Sequence, residues 1–188
     1  MTFLPHPLAG SALALGAFLL LAPPSHSAEK SEPLSPVDAR FIQEEAAAGK
    51  AIAKIADEAA ARSESAKVRA FARVLVRDHR ESSAALAAFA KSRAVDLASG
   101  DMERHKAHFD QLREEKGPDF DSAFIDLMVR MHKDRVENFE KTATDSPDAE
   151  LKKWAGATLP KLQSHLKTAK ELSPSQTASA APPHFIVL

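Results

Sequence analysis

Four long stretches of this chain carry apolar residues at helical spacing, and no other feature constrains the fold as strongly. In the first stretch, Phe41, Ile52, Ile55 and Ala59 recur at intervals that place them on one side of a helix. Such a helix is stable when its apolar side is covered, so four of them predict a bundle around a shared core. With only 6 glycines, the chain is also poor in residues that weaken helices.

The stretches and the breaks between them predict where each helix lies. We expect long helices over about 36–62, 65–94, 119–143 and 146–172, and a short helix over about 101–117. The predicted fold class is therefore all-α, a four-helix bundle with one additional short helix between helices two and three.

Ser-Pro pairs mark the start of the first and the last long helix. Ser35 is expected to cap the first helix with Pro36 at its first position, and Ser146 and Pro147 repeat this arrangement. Pro160 lies inside the last helix and should kink it, because proline removes a backbone donor and clashes with the preceding turn.

The first 27 residues are predicted to be a signal peptide. No Asp, Glu, Lys or Arg precedes Glu29, and the apolar run over 8–22 is shorter than the roughly 20 residues that a membrane helix requires. Ser25 and Ser27 are small residues placed for cleavage after Ser27, which favours a signal peptide over an uncleaved anchor. We therefore expect a periplasmic or secreted protein with no integral membrane span after processing.

The composition of the rest of the chain predicts the domain boundaries and limits the kinds of partner. We expect a linker over 28–34, the bundle over 35–172 and a disordered tail rich in small residues and proline over 173–188. A net charge of −1 gives no global reason to expect nucleic acid as a partner. Because the chain has no cysteine, disulfides, thiolate metal ligands and cysteine nucleophiles are excluded.

Three histidines interrupt the apolar sides of the long helices. His79, His132 and His165 each lie on the apolar side of a different helix, and Glu45 takes the equivalent place on the first. With a rise of about 1.5 Å per residue, His79 and His132 each lie roughly 20 Å from the end of their helices. The sequence therefore predicts that these polar side chains meet at one level inside the bundle.

Two interpretations of this polar level stay open. In one, His79, His132 and His165 bind a transition metal together with Glu45 or Asp78, since imidazole and carboxylate suit Zn, Fe, Mn or Cu. In the other, the same side chains form a buried hydrogen-bonded network, with Asp78 or another acid orienting an imidazole, and bind nothing.

Two smaller sets of residues also carry ligand types at helical spacing: Asp101, His105 and His108 on the short helix, and Met128, Met131 and His132 on the third long helix. The methionines would suit Cu(I) in an exported protein. Both sets rank below the central histidines, because surface histidines usually bind nothing and methionine more often fills a core.

Several short motifs occur in a fixed order along the helices: "DH" in the second, "FD…H" in the third and "LP.L..H" in the fourth long helix, here Asp78, His79, Phe120, Asp121, His132, Leu159, Pro160, Leu162 and His165. In this order and spacing, over about 36–172, the chain resembles the bacterial domain-of-unknown-function family 4142. The resemblance implies a ferritin-like bundle, a secreted or periplasmic location and, for some members, an outer-membrane label. It implies no activity, because the family is largely uncharacterised.

One departure from the family pattern concerns the first helix. Where family members often carry acidic residues late in this helix, the chain has Ile52 and Lys54. Glu45 is thus the only inward-facing carboxylate that this helix could supply to a metal.

Three functions follow as hypotheses. The first is a binding module whose histidines hold a transition metal or a similar small ligand. The second is an envelope structural or stress-related protein that acts through surface contacts with an envelope partner or another copy of itself, without metal. The third, an oxidase or catalase-like enzyme, ranks last, because the Glu-x-x-His pairs of carboxylate-bridged di-iron bundles are missing.

Overall fold

The computed structural model describes residues 33–99 and 103–173. These ranges form five α-helices and one short 3-10 turn over Leu97–Ser99: α1 (Pro36–Arg62), α2 (Ala66–Ser92), α3 (Glu103–Glu114), α4 (Gly117–Asp145) and α5 (Ala149–Leu172). The predicted all-α bundle, with a short helix between the second and third long helices, is confirmed. The predicted signal peptide, Asp101 and nearly all of the predicted tail lie outside the described residues.

The start of α1 follows the predicted capping pattern. The Ser35 hydroxyl accepts a hydrogen bond from the Asp38 amide at 3.1 Å, and Pro36 occupies the first turn. Ser65 caps α2 in the same way, by accepting from the Val68 amide at 3.4 Å. Each cap satisfies an amide that has no partner inside the helix.

The predicted cap of the last long helix is wrong. Asp148, not Ser146, is the N-cap of α5, and its carboxylate accepts from the Leu151 amide at 2.8 Å. Ser146 instead terminates α4, where its amide donates to the Thr142 carbonyl at 3.1 Å. A carboxylate at a helix N-terminus also interacts favourably with the helix dipole. This interaction favours a helix that begins directly after Asp148.

Two prolines of the second half have different effects. The third long helix begins at Gly117, two residues earlier than predicted, because Pro118 is tolerated in a first turn and Gly117 accepts a φ of 53°. Pro160 lies within α5, and the helix continues on both sides of it. The kink at Pro160 stays a prediction.

The long helices run up, down, down and up. α1 packs mainly on α2, and α4 mainly on α5. Each long helix passes from one apolar cluster, with Ile55, Leu75 and Phe124, to apolar residues at the other end, such as Ile42 and Phe139. The connection through α3 makes α2 and α4 parallel, which is the single long crossover of ferritin-like bundles.

Between the two apolar ends lies a layer of buried polar side chains, here called the polar layer: Glu45, Asp78, His79, His132, Arg135 and His165. On α2, α4 and α5 these residues fall between the residues of the two ends, whereas Glu45 on α1 lies between Ile42 and Ala46 of one end. Within the described ranges, none of the helices has an apolar stretch long enough to cross a membrane.

Candidate metal centre

Three helices bring three imidazoles together in the polar layer. His79 on α2, His132 on α4 and His165 on α5 are 2%, 0% and 4% exposed. Their ring centroids lie 5.4, 5.5 and 5.3 Å apart in the three pairs. One nitrogen from each ring lies within 4.8 Å of the other two. The predicted meeting of the three histidines at one level is therefore confirmed, and metal binding by them stays a prediction.

His79 and His132 belong to a hydrogen-bonded chain whose proton positions follow from its ends. An Arg135 N–H donates to His79 Nδ1 at 3.0 Å, so this ring carries its proton on Nε2. His79 Nε2–H can then donate to His132 Nε2, 3.3 Å away. His132 Nδ1–H donates to the Met128 carbonyl at 2.9 Å. The Nε2 lone pair of His132 therefore faces His79 Nε2.

His165 is oriented by a carboxylate. Its Nε2–H donates to Asp78 Oδ2 at 2.9 Å, and Asp78 Oδ1 accepts from Arg77 Nε at 2.8 Å. This arrangement leaves Nδ1 of His165 as an acceptor. Among the described residues, His165 Nδ1 is buried and has no hydrogen-bond partner. A carboxylate on the far nitrogen is the usual support of a metal-binding imidazole, which gives Asp78 the position of a supporting residue.

Glu45 and Arg135 form a salt bridge beside His79. Arg135 Nε donates to Glu45 Oε2 at 3.1 Å, and Nη2 makes a second contact with Oε1. Both side chains are buried, at 7% and 5% exposure. Glu45 thus lies at the predicted level, but its carboxylate is bound to a guanidinium rather than directed at the three rings.

Sequence reasoning missed Arg135. The residue lies three positions after His132, so it shares a helix face with His132 and Met128. A buried Glu45 requires a cationic partner. The inward position predicted for Glu45 was therefore a signal for a buried cation. Arg135, one turn after His132, supplies that cation.

The protonation states suit metal binding near neutral pH. Burial, together with the neighbouring His132 and His165, keeps the pKa of His79 well below 6.5. Burial lowers the pKa of His132 to about 4, and burial also lowers the pKa of His165 despite Asp78. The three rings are therefore neutral at pH 7 and offer lone pairs.

Asp78 and Arg135, the charged partners of His165 and His79, both stay ionised at pH 7. Burial raises the pKa of Asp78, but the hydrogen bonds from Arg77 and His165 lower it overall, so the carboxylate is ionised. Burial lowers the pKa of Arg135 to about 9, which still leaves the guanidinium charged at pH 7.

A cleft opens beside the polar layer between α1, α3 and α4. It encloses about 170 Å³ and is lined by acidic, basic and sulfur-containing side chains, among them Glu44, His105, His108, Met131, Asp134 and Arg135. Of the two smaller sets predicted from the sequence, His105, His108 and Met131 line this cleft. Among the described His, Asp and Glu side chains, the three central histidines form the only group of three or more whose ligand atoms lie close enough to share a metal.

The family profile described as "Domain of unknown function (DUF4142)" matches residues 23–172 of the chain. The chain belongs to this family. The resemblance noted from the "DH", "FD…H" and "LP.L..H" motifs is thereby confirmed. No curated protein matches this DUF4142 chain.

Two solved structures share the fold of this DUF4142 protein. The crystal structure of a DUF305 fragment from Deinococcus radiodurans is 17% identical, with a TM-score of 0.68, and the match covers 75% of this chain and 97% of that one. CopM, in its Cu(II)-bound form, is 18% identical, with a TM-score of 0.63, and the match covers 76% and 97%. At these identities the likeness shows the ferritin-like helical bundle alone.

Proposed function

We propose that this DUF4142 protein binds one transition-metal ion inside its bundle through His79, His132 and His165. The observation that carries the proposal is the convergence of three buried, neutral imidazoles, one of which has a nitrogen without a partner among the described residues. A buried acceptor that lacks a donor costs about 1–3 kcal/mol. A metal ion bound to His165 Nδ1 would offset that cost.

The ligand set favours Cu(II) or Zn(II) over the other candidate metals. Imidazole is a ligand of intermediate softness that suits both ions, and divalent copper binds nitrogen sites more tightly than zinc does. Fe and Mn sites of bundles are richer in carboxylates, and here the Glu45 carboxylate is bound to Arg135. CopM, which shares the fold, has been solved in a Cu(II)-bound form, which supports testing copper first.

The test is a metal titration of the protein purified without a histidine tag. We expect one equivalent of Cu(II) or Zn(II) to bind to the wild type, and elemental analysis after dialysis to retain it. His79→Ala, His132→Ala and His165→Ala should each lose this binding, because three ligands are the minimum for a stable site. His108→Ala is the matched control, since His108 lies on α3 and lines the cleft but does not belong to the group of three histidines.

Two results would contradict the proposal. Wild-type protein that retains no stoichiometric Cu, Zn, Fe or Mn would exclude a metal site in the bundle. A loss of binding in His108→Ala equal to that in His79→Ala would move the site to the cleft.

Export to the periplasm or to the medium is the second part of the proposal. It is supported by the apolar run over 8–22 and by the small residues before Ala28. An exported copper or zinc protein without cysteine would have no thiol to oxidise. N-terminal sequencing of the protein from cell fractions should find a chain that begins at Ala28 outside the cytoplasm, whereas an intact Met1 in the cytoplasm would contradict export.

A metal-free structural role is the second candidate function. The hydrogen bonds from Arg135 to His79 and from His165 to Asp78 favour it, because they satisfy much of the cluster without a ligand. In this case the protein acts in the envelope through surface contacts. His79→Leu would then lower stability and leave function unchanged, while metal analysis of the wild type would find none.

A further inference from the structure

Arg135 contacts the ring nitrogens of His79, and a metal bound to this ring would change which nitrogen carries the proton. Its Nη1 lies 3.0 Å from His79 Nδ1 and 3.5 Å from His79 Nε2. The same side chain lines the cleft between α1, α3 and α4. Arg135 therefore stands between the cleft and the three imidazoles.

We propose that Arg135, anchored by Glu45, is a displaceable latch that holds His79 in its metal-free state and moves into the cleft when a metal ion binds. This inference rests on the proposed metal site and assigns its regulation. The latch sets the affinity of the site.

The proton positions of His79 make the latch and the metal exclusive. While Arg135 donates to Nδ1, the ring proton lies on Nε2, the nitrogen that faces His132. If Nε2 binds a metal, the neutral ring must carry its proton on Nδ1 instead. Nδ1–H and the Arg135 N–H would then be two donors facing each other, so the guanidinium must leave this position.

Electrostatic repulsion between a bound metal ion and Arg135 also favours displacement of the guanidinium. Arg135 is a buried cation that is neutralised by Glu45 in the absence of a metal. A divalent ion bound to His79 would place two further positive charges beside the guanidinium. In a layer shielded from water this repulsion is stronger than it would be at the surface.

The cleft offers the displaced guanidinium a polar site. Its volume of about 170 Å³ is many times the space that one water molecule requires. Glu44 and Asp134 line it together with Arg135. In the metal-bound state the guanidinium turns into this cleft, toward solvent and these two carboxylates.

The experiment compares the affinity of the full-length wild type for Zn(II) with that of Arg135→Met. Methionine keeps an apolar stem of similar length and removes the competing donors and the charge. We expect Arg135→Met to bind Zn(II) at least about tenfold more tightly, within the usual range of couplings between sites. Arg130→Met, an equal loss of charge at an exposed position on α4, should leave the affinity unchanged.

A second variant keeps the comparison valid if the buried Glu45 carboxylate prevents Arg135→Met from folding. The double variant Glu45→Gln with Arg135→Met removes both charges of the pair, and the same rise in affinity is expected. Circular dichroism establishes that each variant is helical before titration.

A measurement on the wild type alone tests the latch independently. Two-bond 1H–15N NMR spectra distinguish the two neutral forms of an imidazole. We expect the proton of His79 on Nε2 without metal and on Nδ1 after saturation with Zn(II), with a simultaneous shift of the Arg135 guanidinium signals.

The outcomes separate the latch from the metal site. Wild type that binds Zn(II), with a folded Arg135→Met that binds no more tightly, overturns the latch and leaves the metal site standing. Unchanged Arg135 signals at saturation, with the His79 proton moved to Nδ1, do the same. Wild type and variants that bind none of Zn(II), Cu(II), Fe and Mn overturn both proposals.

Discussion

His132 lies at the centre of the polar layer, where its side chain is fully buried and its pKa falls from 6.5 to about 4. The ring donates through Nδ1 to a carbonyl of its own helix and presents Nε2 to His79. Protonation of Nε2 would therefore place a charge in the bundle interior without an acceptor in line, since His79 already directs a donor at the same nitrogen.

Acid should destabilise the metal-free protein through His132. Between pH 6.5 and about 4 the unfolded chain takes up a proton on this residue and the folded chain does not, so the free energy of unfolding falls as the pH falls. At about 1.4 kcal/mol per pKa unit, the loss reaches about 3 kcal/mol near pH 4. Urea unfolding of wild type and of His132→Met, with a chelator present, measures it at several pH values.

The comparison with His132→Met isolates this residue from the other titrating groups. The variant has no ring to protonate, so its stability should depend less on pH over the same interval. Parallel pH profiles for the two proteins would show that His132 is protonated equally in the folded and unfolded states.

The histidines and Arg135 illustrate what the sequence contains at the scale of residues. His79, His132 and His165 were predictable because each breaks an apolar series of known period. The need of Glu45 for a cationic partner could be predicted as well, but the choice of Arg135 could not, because the two residues are 90 positions apart and only the packing of α1 against α4 brings them together. The roles of the ring nitrogens also follow from that packing.

At the scale of elements, the turn between α4 and α5 was predicted in the wrong register. Both Ser146 and Asp148 are capping residue types, so composition alone could not choose between them. Asp148 also forms an ion pair with Arg93 at 2.9 Å, which ties the start of α5 to the end of α2. This long-range contact favours the later cap and has no signature in the local sequence.

Asp148→Ala should therefore destabilise the bundle by about 1–2 kcal/mol, because it removes the cap of α5. Asp148→Asn keeps a capping oxygen and should recover most of the loss. Urea unfolding at pH 7 gives the free energies. If Ser146→Ala lowered the free energy of unfolding more than Asp148→Ala, Ser146 would be the cap of α5, as the sequence predicted.

At the scale of the whole molecule, the bundle was predictable and its assembly was less so. Four apolar sides of helical period leave few alternatives to a bundle, whereas the up, down, down, up order depends on the route through α3. That order places α2, α4 and α5 so that one level of each carries a histidine. The polar layer is thus a property of the topology as well as of the residues.

Because the proposed ligands come from three helices, a bound metal should stabilise the whole bundle. An ion that binds only the folded chain at about 100 times its Kd adds about 2.7 kcal/mol, which for a domain of this size raises Tm by about 5–10 °C. Thermal unfolding of wild type with and without Cu(II) or Zn(II) measures the shift. His165→Ala, which removes the ligand from α5, should show no shift, and an equal rise in this variant would place the stabilising ion elsewhere on the protein.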